Sequence, residues 1–492
     1  MPEPTMKNTL DDENLKLPIK LDSTSNGEFA PVPLNNPQLL ANKEAHERSL
    51  KLAKKVNVSR RGFLKSSCGA ASTLLAFNSA FAQFGMTGGF YQLSEDSAVD
   101  KDLANHEISG NEFIFDVQGH FVNPNGDWLK KLPESAKPLS FMPKSQCDLA
   151  GQPTDRSYLQ CLGSDEFIKD VFMDSDTDLM VLSFVPSAPD SEPLTIQEAA
   201  ATREIINKMN GKHRLLLHGR VNPNQPGDLE GMEALYEEWQ VAAYKTYTQF
   251  GPEGIGYWLT DDVGLAMIEK AQKLGVKNIC IHKGIPFGPK SFEHSLCDDI
   301  GAVAKQYPDM NFIIYHSGYD MSHQEQSFKI DNPNRGVDSL IHSVLKHNIK
   351  PNTNVYAELG STWRFLMREP HQAAHVLGKL LKFIGEDNIL WGTDSIWYGS
   401  PQDQIQAFRT FQISKEFQEQ FQYPELNKHL KAKIFGLNAT NPYQISSEEV
   451  GKFIKNDTMA STKQNYLNNP TPHFRTYGPK TRREYLNLLR WS

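Results

Sequence analysis

From residue 113 onward, short apolar runs alternate with helical patterns, and this alternation limits the fold more than any other feature of the chain. The runs are FIFDVQGH (113–120), DLMVLSFV (178–185), HRLLLHGRV (213–221), VAAYKTYT (241–248), NICIHKG (278–284), NFIIYHSG (311–318), NVYAELGS (354–361) and NILWGTDS (388–395). Most are nearly continuous in apolar or β-branched residues, as strands covered on both faces are. Between them, LAMIEKAQKLG sets Leu265, Ile268, Ala271, Gln272 and Leu274 near helical spacing and stops at Gly275. HQAAHVLGKLLKFIG puts Val376, Leu377, Leu380, Leu381 and Ile384 on one stripe and stops at Gly385. Ser400-Pro401 reads as the cap and first-turn proline of the next helix. Eight strands alternating with helices predict an α/β fold, a (β/α)8 TIM barrel, over 113–445. A long insertion follows strand one (about 121–177), and 446–492 is a C-terminal extension. A doubly wound open sheet is the alternative, but no Gly-rich phosphate loop follows the first strand.

The chain has 492 residues and a net charge of -8, which argues against nucleic acid or an anionic membrane as its main partner. It has no run of 18 apolar residues, so no stable membrane anchor is expected. Five cysteines are too few for a disulfide framework. Cys147 and Cys161 either bridge or stay free, and Cys280 reads as core packing.

Residues 1–58 are polar and rich in Asn, Lys, Glu and Pro, and read as a disordered leader. In SRRGFLKSSCGAASTLLAFNSAFAQ, Arg60-Arg61 precedes Phe63-Leu64-Lys65, a weakly apolar run and Ala80-Phe81-Ala82. This stretch, 59–82, looks like a twin-arginine signal peptide cleaved after Ala82. It implies the twin-arginine export machinery as a partner and a periplasmic or otherwise exported location. Cys68 lacks the upstream leucine of a lipoprotein, so no lipid anchor is expected. Residues 83–112 read as a linker.

The C-terminal ends of the runs carry the chemistry. His120, Lys245, His282, His316, Glu358 and Asp394 each follow an apolar run and precede a Gly-rich or polar loop. Gln118 lies two residues before His120 and shares its face. In a barrel those ends meet at one mouth. Three imidazoles and a carboxylate there suit a divalent metal ion, zinc first among them. Such an ion lowers the pKa of bound water, and a neighbouring group moves the proton.

The ordered set FDVQGH, ICIHKG, IIYHSG and LWGTDS resembles the amidohydrolase superfamily, especially the branch related to aminocarboxymuconate semialdehyde decarboxylase, over about 113–445. The resemblance implies that His120, His282 and Asp394 hold or contact the metal. It also implies that His316 ligates it or acts as acid/base, and that Asp394 is ligand, proton acceptor or both. The first strand of the family usually carries His-x-His or Glu-x-His, whereas Gln118 fills the first slot here. An amide oxygen is a weaker ligand that still completes a coordination sphere, so a mononuclear site is expected. Lys245 stands where binuclear relatives carry a carboxylated, metal-bridging lysine. An ammonium beside a dication is unfavourable, so Lys245 is neutral, carboxylated or turned toward a substrate anion.

Glu358 reads as a site carboxylate or a salt-bridged structural one. Arg364 has the fork to grip a substrate carboxylate, and Trp363, Trp397 and Tyr398 flank the same rim. Leu486, Leu489 and Trp491 suggest a terminal amphipathic helix docked on the barrel or on a neighbouring subunit of a homo-oligomer. The expectation is a metal-dependent hydrolase in which metal-bound water attacks a carbonyl-type carbon of a small-molecule substrate. The alternatives are non-oxidative decarboxylation of a small carboxylic acid and an inactive periplasmic ligand-binding barrel.

Overall fold

A computed structural model describes residues 16–131, 161–189, 191–209, 213–287, 290–330, 335–454, 458–482 and 485. All eight apolar runs form strands: β1 (Phe115–Gly119), β2 (Leu179–Leu182), β3 (Leu215–Arg220), β4 (Ala243–Tyr247), β5 (Asn278–His282), β6 (Asn311–Tyr315), β7 (Val355–Glu358) and β8 (Ile389–Leu390). They pair in sequence order, all parallel. The first and last strands then meet. Val117 N–H donates to Trp391 O at 3.0 Å, and Ile396 N–H donates to His120 O at 3.1 Å. This closes the cylinder, and the protein is a TIM barrel.

Strand parity sorts the core into two layers. Leu179, Val181, Cys280, Ile313 and Tyr315 belong to one buried cluster inside the cylinder. Ile279, Ile281, Phe312, Ile314 and Ala357 alternate with the inner set and pack outward under the helices. The helix Asp262–Leu274 ends on Gly275 at φ 80°, and Pro370–Phe383 is followed by Gly385 at φ 107°. Both glycines take the left-handed conformation that closes a helix.

The N-terminal region differs from expectation. Residues 16–58 do not stand apart from the fold. Leu17, Ile19, Leu21 and Phe29 are buried in the same cluster as the barrel's outer layer. α1 (Asn36–Lys55) opens on a reciprocal cap between Asn35 and Gln38. Its buried Ala41, Ala45, Ser49 and Ala53 recur every four residues and pack on α3 (Ser67–Gln83). The polar composition concealed this face, because its buried residues are small. Arg60 and Arg61 open α2 (Arg60–Leu64), which Ser59 caps through the N–H of Gly62. In α3, Ala71, Leu74, Ala76, Phe77 and Ala80 are fully buried. No helix among the described residues is long and apolar enough to cross a membrane.

Residues 83–112 also differ from a bare linker. Gly89–Tyr91 pairs antiparallel with Phe411–Ile413, and Lys101–Ile108 is a helix. Cys161 is disulfide-bonded, and Cys280 is free and buried. Cys147, Leu486, Leu489 and Trp491 lie outside the described residues.

Candidate functional site

A β-bulge aims the first two site residues. Phe115 pairs with Leu179 and Asp116 with Met180, but Gly119 pairs with Leu182, so β1 gains one residue on β2. Phe115 lies in the inner cluster, and unbroken alternation would turn Gln118 and His120 outward. The extra residue resets the parity and directs both inward. Further round the mouth, His316, Ser317, Ser361 and Asp394 have φ of 66°, 55°, 52° and 59°. Left-handed backbone costs such residues roughly 1–3 kcal/mol each, and this cost collects at functional sites.

Asp394 sits at the centre of one half of the site. Its Oδ1 lies 3.1 Å from His120 Nε2 and accepts from Gln118 Nε2 at 3.0 Å. Its Oδ2 accepts from Ser361 Oγ at 2.5 Å, and Ser361 Oγ is 2.8 Å from Tyr398 OH. Burial alone would raise the Asp394 carboxyl. The hydrogen bond and charge of His120, with His316 and Ser361, outweigh burial and hold it well below the usual carboxylate range. Trp397 stacks on the His120 ring at 5.7 Å. Gln118 Oε1 and His120 Nδ1 are buried without a hydrogen-bond partner among the described residues. A Cβ on Gly360 would stand 2.1 Å from Gln118 Oε1 and 2.5 Å from Glu358 Oε1, so a larger residue there would displace both side-chain ends.

The other half is a histidine pair. His316 Nδ1 lies 2.7 Å from Gly360 O, and His282 Nε2 lies 3.2 Å from Ile285 O. A carbonyl only accepts, so the tautomers that satisfy both carbonyls carry the proton on those nitrogens. The remaining nitrogens, His316 Nε2 and His282 Nδ1, face one another at 3.2 Å. In the neutral rings, two lone pairs point at one place. Burial pushes His316 down to about 4 and His282 well below the ordinary histidine value, so both are neutral near pH 7.

Lys245 does not reach solvent. It is fully buried, its Nζ has no hydrogen-bond partner among the described residues, and it sits 3.5 Å from the centroid of the Tyr315 ring. Burial pulls it down to about 8, against the opposing charges of Glu358, Asp394 and Glu28 among others. Glu358 accepts from the backbone N–H of His316 at 3.1 Å and of Gly360 at 2.6 Å. It holds the loops after β6 and β7 together, and burial raises it to about 8.

Arg364 is placed differently from expectation. Its guanidinium donates to Lys20 O at 2.7 Å and to Asp22 Oδ1 at 2.9 Å. The carboxylate it grips belongs to this chain. Trp363 is core, and its Nε1 donates to Gln404 O at 2.9 Å. The residues that sequence reasoning missed come mainly from the N-terminal segment. Asn26 Nδ2 lies 3.5 Å from Asp394 Oδ2 and 2.6 Å from Glu28 Oε2. No local pattern in a polar segment signals this contact, because Asn26 and Asp394 lie 368 positions apart in the chain. Tyr247 and Phe287 flank the His282 ring at 5.2 and 5.0 Å. Tyr247 ends β4, and strand parity alone does not distinguish it from the other residues on its face.

The expected ring of four does not gather as one set. Among the described residues, no three donors drawn from His120, His282, His316 and Asp394 lie within 4.8 Å of one another. The donor chemistry nevertheless fits a cation. A cation between the facing nitrogens of His282 and His316 would satisfy both lone pairs, and their 3.2 Å separation matches two bonds of about 2.0–2.1 Å to one ion. Gln118, His120 and Asp394 form a second cluster, with mutual separations of 3.0, 3.1 and 3.4 Å.

Residues 221–445 match the family model for amidohydrolases. That span takes in Lys245, His282, His316, Glu358 and Asp394 and leaves out Gln118 and His120. No curated protein matches the chain. Solved structures with a similar arrangement include 2,6-dihydroxybenzoate decarboxylase from Rhizobium, at 13% identity and TM-score 0.39, covering 68% of this chain and 99% of that one. Another is 5-carboxyvanillate decarboxylase from Novosphingobium aromaticivorans with bound manganese, at 12% identity and TM-score 0.42, covering 68% and 97%. A third is a putative 2-pyrone-4,6-dicarboxylic acid hydrolase from Pseudomonas putida, at 12% identity and TM-score 0.40, covering 68% and 97%.

Proposed function

We propose that this barrel is a metal-dependent enzyme of the amidohydrolase kind that removes CO2, without oxidation, from a small aromatic carboxylic acid. The observation that carries the metal is the pair of imidazole lone pairs facing each other at 3.2 Å. His282 and His316 are the two preset ligands, and Asp394 is the nearby charged group that would balance a dication. His120 and Gln118 orient Asp394 through its Oδ1. A divalent ion held there would act as a Lewis acid toward a substrate oxygen.

The chain's own residues supply the remaining steps. Lys245 is a buried cation with no hydrogen-bond partner, so an anionic substrate is its natural counter-charge. Tyr247, Phe287 and Trp397 give the mouth aromatic walls that suit a planar ring. His120, hydrogen-bonded to the ionised Asp394, is the proton carrier. The bond between ring carbon and carboxylate breaks, the electron pair stays on the carbon, and a proton from the His120–Asp394 pair takes the place of CO2. The amidohydrolase match over 221–445 supports hydrolysis as a second reading, in which ionised Asp394 accepts the proton from water.

Assaying the manganese-loaded and zinc-loaded protein for CO2 release from 2,6-dihydroxybenzoate and related hydroxybenzoates tests the choice. CO2 release that is lost in His282→Ala supports decarboxylation. Acid release from esters or lactones with no CO2 from any carboxylate assigns hydrolysis instead.

A further inference from the structure

The N-terminal segment, which reads in sequence as something the mature protein discards, is built into the mouth of the site. Its anchors come from three directions. From the loop and helix after β8, Tyr398 O and Ser400 O accept from Lys20 Nζ at 2.8 and 2.7 Å, and Asp403 pairs with the same ammonium at 3.2 Å. From the helix after β7 and the turn that follows it, Arg364 and Arg368 hold Lys20 O and both the side chain and the carbonyl of Asp22. From the C-terminal extension, Thr476 donates to Asp22 Oδ2 at 2.6 Å, and Ser25 N–H donates to Pro479 O at 2.9 Å. Leu17, Ile19, Leu21 and Phe29 add buried apolar surface along the same stretch.

The anchored backbone then turns so that its polar tip meets the site. Gly27 at φ 96° makes the turn. Ser25 Oγ accepts from Gly27 N–H at 2.9 Å, and Asn26 Oδ1 accepts from Glu28 N–H at 3.0 Å. These bonds leave the Asn26 amide between two carboxylates, Glu28 at 2.6 Å and Asp394 at 3.5 Å. The Glu28 carboxyl, which burial and the Asp394 charge raise to about 8, thus fixes the amide that faces Asp394.

We propose that residues 16–29 are a permanent strap of the working enzyme, that Asn26 and Glu28 on it are positioning residues acting on Asp394, the carboxylate that balances the metal, and that the chain is therefore not cut after Ala82. This rests on the metal-site reading above, but its tests read out separately from the chemistry. Removal of residues 1–82 would take away the strap, α1 and nearly all of α3 together. It would also strand Arg364, Arg368 and Asp403 without the partners described here.

Two measurements decide it. The intact mass and N-terminal sequence of the full chain, purified after expression through a twin-arginine export system, should show residues 16–83 still attached in the metal-loaded fraction. A metal-loaded fraction beginning after Ala82 overturns the proposal. Manganese titration of wild type, Asn26→Ala and Glu28→Gln should show affinity falling about tenfold in Asn26→Ala and by a smaller factor in Glu28→Gln, with thermal midpoints near that of wild type. Unchanged manganese affinity in both variants overturns the positioning role. A wild type that binds manganese but releases no CO2 would sink the decarboxylase reading alone. A wild type that binds no manganese would sink the metal reading and the positioning role together, with retention still decided by mass.

Discussion

Arg364 Nη2 lies 2.9 Å from Asp22 Oδ1, and this pair ties the helix after β7 to the N-terminal segment. The guanidinium is almost fully buried, while the Asp22 side chain is 27% exposed. Arg364→Met would leave Asp22 facing Thr476 without its main counter-charge. We expect a loss of roughly 2 kcal/mol, below the value for a fully buried pair because water still reaches Asp22. Urea unfolding of the full chain measures it, and an unchanged midpoint would show that the pair does not hold the segment.

Phe77 tests whether α3 belongs to the folded unit. It is fully buried and meets Phe81 at a ring distance of 5.9 Å. Phe77→Ala should cost about 3–5 kcal/mol, as deletion of a core aromatic does. A cost under about 0.5 kcal/mol, the range of surface substitutions, would mean that α3 is dispensable to the fold.

Lys245→Met separates stability from function. Wild type holds a buried ammonium with no hydrogen-bond partner, so an apolar side chain of similar length should stabilise the fold by about 1–3 kcal/mol near pH 7. The Lys245 pKa is lowered to about 8 by burial, so its penalty is full below that value and fades as the pH rises toward its unfolded value. The gain in Lys245→Met should fade over the same window. Substrate KM should rise tenfold or more. A destabilised Lys245→Met would show that the lysine has a structural partner.

Acid sensitivity should follow His375. Burial among Phe417, Phe421 and Tyr423 pushes it down to about 3, with help from nearby His371 and Lys379. Below the unfolded value of about 6.5 the unfolded chain binds the proton and the folded chain does not, so stability falls with pH until about 3. This group alone should cost about 2 kcal/mol at pH 5. The slope of unfolding free energy between pH 6.5 and 4 should be shallower in His375→Gln, and an identical slope would remove His375 as a cause.

The barrel was legible because parallel strands buried on both faces leave continuous apolar runs, and all eight runs became strands. The strand ends were legible for the same reason, since His282, His316 and Asp394 interrupt apolar stretches where burial makes a polar residue costly. The aim of Gln118 and His120 was not legible, because the bulge that turns them inward has no residue signature in FDVQGH. The expected fork of Arg364 was real, but its partner lay in a segment whose composition resembled disorder. The packing face of α1 uses Ala41, Ala45, Ser49 and Ala53, and small residues add little hydrophobicity to a polar helix. Asn26 and Glu28 joined the site through contacts spanning most of the chain, which no local pattern encodes.

The account depends most on the cation implied between His282 and His316. Elemental analysis of the purified full chain, run beside His282→Ala, tests it most directly. The account predicts about one divalent ion per chain in wild type and a near-complete loss in His282→Ala, with the variant still folded by circular dichroism. A folded, metal-free wild type that takes up neither manganese nor zinc on dialysis would contradict it.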